Sequence, residues 1–238
     1  MSQENLIYRD IDRIDRSVLD ALQGMGVADI CDILPPMVSA SGLMHRSIRA
    51  MTPGLTMCGQ AITGFAANGD GLIPHVALYV AQKGDVLVFS NGPQEIDSAL
   101  CGGHGALDAR ARGVAGAVCD GPVRDVRALR DIGFPTWGTS VTAAHGAKGG
   151  VGWVNKPVSC GGVIVEPGDI VVGDDDGVIA FSPRHAEFVA REVGRVQARD
   201  ATVRERIAGG ERIFEMANFG PLVTIQDGAW RHDPSARA

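Results

Sequence analysis

The feature that most constrains this chain is a rhythm of short apolar runs and helical segments between residues 56 and 133. TMCGQAITGFAA (56–67) has the composition of a strand, and the stretch after it places Ile73, Val76, Ala77 and Val80 at i, i+3, i+4 and i+7, the period of a helix face. KGDVLVF (83–89) is a strand entered by a Gly-Asp turn. SALCGGHGALDARARG (98–113) opens as a glycine-rich loop and continues as a helix. AGAVCD (115–120) is the next strand, and VRDVRALRDIG (123–133) is a helix ended by Gly133. Strands that alternate with helices predict an α/β fold with a partly parallel sheet and crossover helices.

The flanks complete the order. Residues 16–34 are predicted helical, with Val18, Leu19, Leu22 and Met25 on one face, a break near Gly24–Gly26 and a stop at Pro35–Pro36. Beyond Thr139 the pattern becomes β: VGWV, VSCGGVIV and DIVVGDDDGVIAF are apolar runs separated by glycine and acid turns. A long helix rich in Arg and Glu follows from Pro183 to about Ala208. A tail from Arg212 carries Phe214, Phe219, Leu222, Val223 and Trp230 without a period. No linker or composition shift interrupts residues 16–208, so a single domain over 1–238 is expected, with a core of about 18–211 and a tail of 212–238.

Composition excludes several classes of function. The formal net charge of −6, with basic residues scattered among acids, argues against a nucleic-acid partner. No stretch approaches the length of a membrane span, and the charged N-terminus lacks an apolar core, so a cytoplasmic protein is expected. Five cysteines with no Cys-x-x-Cys spacing suggest free thiols in a reducing compartment. Aromatic residues are only 5%, which leaves the core to aliphatic side chains.

Chemistry concentrates in AVCDGPVRDVRAL (117–129), where an apolar strand ends at Asp120, a Gly-Pro turn follows, and Arg124 and Asp125 begin a helix. Polar residues beyond a strand's carboxyl end lie at the rim where α/β sheets bind ligands. There a guanidinium can grip a carboxylate with two parallel hydrogen bonds, and a neighbouring carboxylate can hold a hard cation that keeps most of its waters. A helix cap at Asp125 and a surface ion pair at Arg124 would explain the same residues. Upstream, Gly102, Gly103, His104 and Gly105 could cradle an anionic oxygen on backbone amides, or form a plain turn. KGGVG (148–152) has the look of a hairpin loop. Asp174, Asp175 and Asp176 suit turns and caps better than a shared ion. His75 falls opposite the apolar face of its helix, as a solvated or interface residue would.

Taken in order, CGGHGALDARARGVAGAVCDGPVRDVRALRDIGFPTW, NKPVSCGGVIVEPGDIVVGDDDGVIAFSP and the arginine-rich closing helix resemble the RraA-like family, from about Val18 to Glu211. That family holds 4-hydroxy-4-methyl-2-oxoglutarate/4-carboxy-4-hydroxy-2-oxoadipate aldolases, oxaloacetate decarboxylases and the regulator of ribonuclease E activity. The resemblance implies a layered β/α sandwich of the swivelling β/β/α type, single-domain with a C-terminal helix and tail, assembled as a homotrimer or homohexamer. It implies a class II, metal-dependent lyase that releases pyruvate from a small 2-oxo acid, by retro-aldol cleavage or by decarboxylation of oxaloacetate. Arg124 would bind the pyruvyl carboxylate and Asp125 would hold Mg²⁺, Mn²⁺ or another divalent metal. The loop Gly102, Gly103, His104 and Gly105 would touch substrate through its backbone, with Asp32 and Asp200 as supporting acids. The family's acid in that loop is Gly103 here, and loss of CO₂ should tolerate this better than aldol cleavage, which also needs a base for the hydroxyl. The alternatives are a non-catalytic regulator of the ribonuclease E type, or another enzyme activity on the same fold.

Overall fold

The structure is a computed structural model that describes residues 6–92, 96–149 and 152–228 of the chain. By its internal contacts the chain divides into two compact units, Met1–Val193 and Gly194–Ala238. The boundary lies inside the closing helix, upstream of the position where the sequence sets the tail.

In the first unit the strands are β1 (Leu6–Ile7), β2 (Arg49–Ala50), β3 (Met57–Ala66), β4 (Val86–Ser90), β5 (Gly116–Asp120), β6 (Pro122–Val123), β7 (Thr136–Gly138), β8 (Ser140–Val141), β9 (Gly152–Val154), β10 (Val158–Cys160), β11 (Val163–Val165), β12 (Ile170–Asp174) and β13 (Gly177–Phe181). Its helices are α1 (Arg16–Ala21), α2 (Val27–Ile33), α3 (Pro36–Gly42), α4 (Leu72–Val80), α5 (Gly103–Ala111), α6 (Val126–Ile132) and the first part of α7 (Ala186–Ala208). The helical stretch after Arg16 breaks at Gly24–Gly26 as expected. Pro36 departs from expectation. It ends one helix and opens α3, because a proline at the first helical position has no N–H to lose.

The main sheet runs β1-β9-β3-β4-β5-β7-β2, with the β12–β13 hairpin attached to β3. Pairs β3–β4, β4–β5 and β5–β7 are parallel, so α4, α5 and α6 are the crossovers that the alternation implies. β3 is long because it serves three neighbours: Met57–Gln60 pair antiparallel with β12, Ala61–Phe65 pair parallel with β4, and Gly64–Ala66 pair antiparallel with β9. Both faces of the sheet are covered. Along β4, Leu87 and Phe89 pack under the crossover helices, whereas Val86 and Val88 face a second cluster with Val118, Trp137 and Val171. This period of two is the reason a continuous apolar run makes a central strand. A third cluster joins α1, α2 and the start of α7 to β12 and β13 through Leu22, Ile30, Ile170, Ile179 and Val189.

The repeated Gly-Asp-aliphatic pattern marks one device used twice. Asp85 accepts a hydrogen bond from the Gln82 N–H at 2.7 Å, and Asp169 accepts one from the Glu166 N–H at 2.9 Å, so each acid ties the turn that feeds its strand. The run after β12 behaves likewise: Asp174 caps α2 through the Val27 N–H at 2.8 Å, and Asp175 accepts from Gly54 at 2.9 Å. These are turn and cap roles. KGGVG extends into residues 150–151, outside the described residues.

The second unit holds the rest of α7, α8 (Ile213–Met216) and a short 3-10 turn at Gly220–Leu222. Phe214 meets Phe219 edge to face at 6.1 Å, and Arg206 pairs with Glu211. Trp230 lies outside the described residues. No helix among the described residues is long and apolar enough to cross a membrane.

Candidate active site

Parallel strands end on one edge of the sheet, and the chain beyond their carboxyl ends forms a cleft of about 340 Å³. Its floor is apolar, with Leu78, Leu87, Phe89 and Phe134 among the lining side chains. The polar wall comes from the two segments that the sequence singles out. Residues 99–103 run beside 122–125: Leu100 N–H donates to the Pro122 carbonyl at 2.9 Å, and Arg124 N–H donates to the Cys101 carbonyl at 2.9 Å. A further bond, from Gly103 N–H to Asp125 Oδ2 at 3.0 Å, closes the start of α5 onto the start of α6. The structure therefore brings Gly102, Gly103, His104, Gly105, Arg124 and Asp125 onto one cleft.

Arg124 and Asp125 precede the helix they were expected to begin. Asp125 is the residue before α6, and its backbone is left-handed with φ 56°. That conformation is costly for a residue with a β-carbon and is sustained where the surroundings enforce it. Here the enforcing bonds are those of its own carboxylate, since Oδ2 accepts from both Gly103 N and Arg124 Nε, the latter at 3.1 Å. The Gly103 amide first, then the Arg124 guanidinium, hold the Asp125 carboxyl below its usual value of 3.8. Its side chain is 43% exposed.

The atoms left over carry the chemistry. Arg124 uses only Nε internally; its terminal nitrogens Nη1 and Nη2 make no hydrogen bond among the described residues, which leaves a two-pronged donor for a carboxylate. Asp125 uses only Oδ2, and Oδ1 accepts no hydrogen bond among the described residues. No group of three His, Cys, Asp or Glu side chains is gathered as a metal cluster among the described residues. The donor set therefore fits a cation that takes one protein carboxylate and completes its shell with water and substrate, as Mg²⁺ does. At α5 the first turn leaves amides without helical partners, and among the described residues only that of Gly103 is engaged by a side chain.

The supporting acids lie elsewhere. Asp32 is exposed on α2 and is not part of the lining. Asp200 belongs to the second unit, where it pairs with Arg199 at 3.2 Å. Three lining residues, His75, His145 and Lys148, were not singled out as ligands by the sequence. His75 points away from the apolar stripe of α4, as expected, and that direction faces the cleft. The five cysteines are free thiols. Burial pushes Cys58 up to about 12, and Cys119 and Cys160 also lie well above their usual value, Cys119 mainly through its hydrogen bond with Cys101 and Cys160 through burial.

Comparison with known proteins places the chain among relatives of one family. The model of the RraA-like family, described as Aldolase/RraA, matches residues 27–180. A Halalkalibacterium halodurans protein named "Putative 4-hydroxy-4-methyl-2-oxoglutarate aldolase" is 37% identical over 160 residues, covering 67% of this chain and 75% of that protein. Among solved structures, Streptomyces coelicolor RraAS2, described as an unusual member of the RNase ES inhibitor RraA family, superposes with a TM-score of 0.72 at 25% identity, over 82% of this chain and 99% of that one. The RNA-processing inhibitor RraA from Thermus thermophilis gives 0.58 at 27% identity, over 67% of this chain and 93% of that one.

Proposed function

The chain belongs to the RraA-like family, and from that premise we propose that it is a divalent-metal-dependent carbon–carbon lyase that releases pyruvate from a 2-oxo acid. The observation that carries the reading is the free guanidinium fork of Arg124 beside an ionised, half-engaged Asp125 in a cleft with an apolar floor. Arg124 grips the carboxylate next to the 2-oxo group, and its charge lies beside the site where enolate charge develops. Asp125 would hold Mg²⁺, Mn²⁺ or another divalent ion; when bound, that ion supplies Lewis-acid polarisation of the 2-oxo group. The amides at the start of α5 orient the substrate oxygens. The five free thiols agree with work in a reducing, cytoplasmic setting.

The substrates of this reading are 4-hydroxy-4-methyl-2-oxoglutarate and oxaloacetate. Cleavage of the first needs a base for the C4 hydroxyl, and Gly103 offers no carboxylate to help. Space for one exists: a β-carbon on Gly103 would meet Ala128 Cβ at 3.4 Å and Asp125 Cβ at 3.5 Å, both ordinary contacts. General-base assistance is worth about 10²–10⁴-fold, so Gly103→Asp should raise aldol cleavage about tenfold or more relative to decarboxylation. Coupled assay of pyruvate from each substrate, with Mg²⁺, checks this. The reading fails if the wild type releases pyruvate from neither. A regulator of the RNA-processing inhibitor type, as two of the similar structures are named, would have no use for the unsatisfied donors in the cleft.

A further inference from the structure

We propose that Lys148, with His75, binds the far carboxylate of a dicarboxylic 2-oxo acid, and so favours cleavage that retains this carboxylate over cleavage that expels it as CO₂. The inference deepens the lyase reading and rests on it for the position of the first carboxylate at Arg124.

The cleft has a second polar wall, built from chain segments remote from Arg124. One is α4, where His75 lies a turn beyond Gly71; the other is the loop that leads to β9, with His145 and Lys148. Residues 144–149 of that loop are tied to the segments beside them. Gly71 N–H donates to the Ala147 carbonyl at 2.8 Å, Ala99 N–H donates to the Ala144 carbonyl at 3.2 Å, and Gly149 N–H donates to Asp70 Oδ2 at 3.1 Å. Its approach is so close that a β-carbon on Gly146 would lie 1.9 Å from the Gly69 carbonyl oxygen. Gly71 in turn sits against the Lys148 stem, with an ideal β-carbon 3.6 Å from Lys148 Cγ. His145 Nδ1 lies 3.1 Å from the Gly146 carbonyl oxygen, which fixes that ring.

Charge selects the ligand. Among the described residues Asp125 is the single acid on the lining, and its Oδ2 is committed to Arg124 and Gly103. Lys148 and His75 make no hydrogen bond or ion pair among the described residues. An ammonium and an imidazole with no partner among the described residues, at the rim of an apolar floor, suit an oxyanion at the other end of a substrate held by Arg124.

The two reactions treat that carboxylate differently. In retro-aldol cleavage the C4 hydroxyl gives its proton to water acting as base and becomes the ketone of one pyruvate, the C3–C4 bond breaks, and its electron pair becomes an enolate that takes a proton back from water to give the other pyruvate. The far carboxylate keeps its charge on the pyruvate that carries C4. In oxaloacetate decarboxylation the bond to the far carboxylate breaks, its charge passes into the enolate, and neutral CO₂ leaves. A cation on that carboxylate stabilises the ground state and loses its partner in the transition state, which slows the step.

The test uses full-length protein with Mg²⁺. Calorimetry compares 2-oxoglutarate with 2-oxopentanoate, which lacks the second carboxylate, for the wild type, Lys148→Met, His75→Leu and the double variant. A charge-assisted contact predicts about a tenfold preference for 2-oxoglutarate, lost in the double variant. In parallel, Lys148→Met should lower the ratio of aldol cleavage to oxaloacetate decarboxylation about tenfold. Equal binding of both acids, a preference that survives the double variant, or an unchanged ratio overturns the proposal. Pyruvate release without the binding preference would leave the lyase reading standing alone; the preference without pyruvate release would do the reverse.

Discussion

At the scale of single residues the site depends on a missing side chain as much as on those present. A β-carbon on Gly102 would lie 2.8 Å from Arg124 Cγ and 3.2 Å from Asp125 Oδ2, so the arginine stem occupies space that only glycine leaves. Gly102→Ala should therefore displace the guanidinium and cost about 10–100-fold in kcat/KM with little change in Tm, because misplacement near 1 Å is enough to lose reactive geometry. Steady-state kinetics beside a thermal melt checks this, and unchanged kcat/KM would contradict it. The bonds that Gly103 and Arg124 make to Asp125 contribute fully above the unfolded value of 3.8 and are lost as pH falls through the lower folded value. Arg124, Asp125 and the glycine loop were legible in the sequence because each is a contiguous motif after a strand. His75 and Lys148 were not: each belongs to a segment whose place is set by a crossover or a long loop, and an imidazole opposite an apolar stripe reads the same whether it faces solvent or a cleft.

At the scale of elements, the strands are held by acids that look functional and are structural. Asp85 is 2% exposed, pairs with Arg13 through both oxygens and ties the turn into β4. Removing one partner of such a pair leaves the other charge without compensation, so Asp85→Ala should cost about 3 kcal/mol in urea unfolding. A loss below about 0.5 kcal/mol, typical of a surface change, would show that the pair is idle. The order of strands and helices was legible because period and turn chemistry agree along most of the chain. The start of α6 was not, since a left-handed Asp125 is imposed by tertiary bonds from Gly103. Nor was α3, where Pro35–Pro36 stops one helix and starts the next.

At the scale of the whole molecule, the second unit leaves Leu222 77% and Ile225 75% exposed, and Ile213 58% exposed. Such open apolar side chains suit a partner surface, and we propose that they meet other copies of the chain in a trimer or a dimer of trimers. Light scattering at micromolar concentration should return about three or six times the 24.9 kDa chain mass; a monomer would rule this out. The central claim, that Arg124 and Asp125 form a metal-dependent lyase site, has a more direct test. Pyruvate release from 4-hydroxy-4-methyl-2-oxoglutarate and from oxaloacetate would be measured across a Mg²⁺ titration, for the wild type and for Asp125→Ala. The account predicts release that rises with Mg²⁺ in the wild type and is lost in the folded variant at every concentration; equal activity and an equal Mg²⁺ response in the two proteins would contradict it.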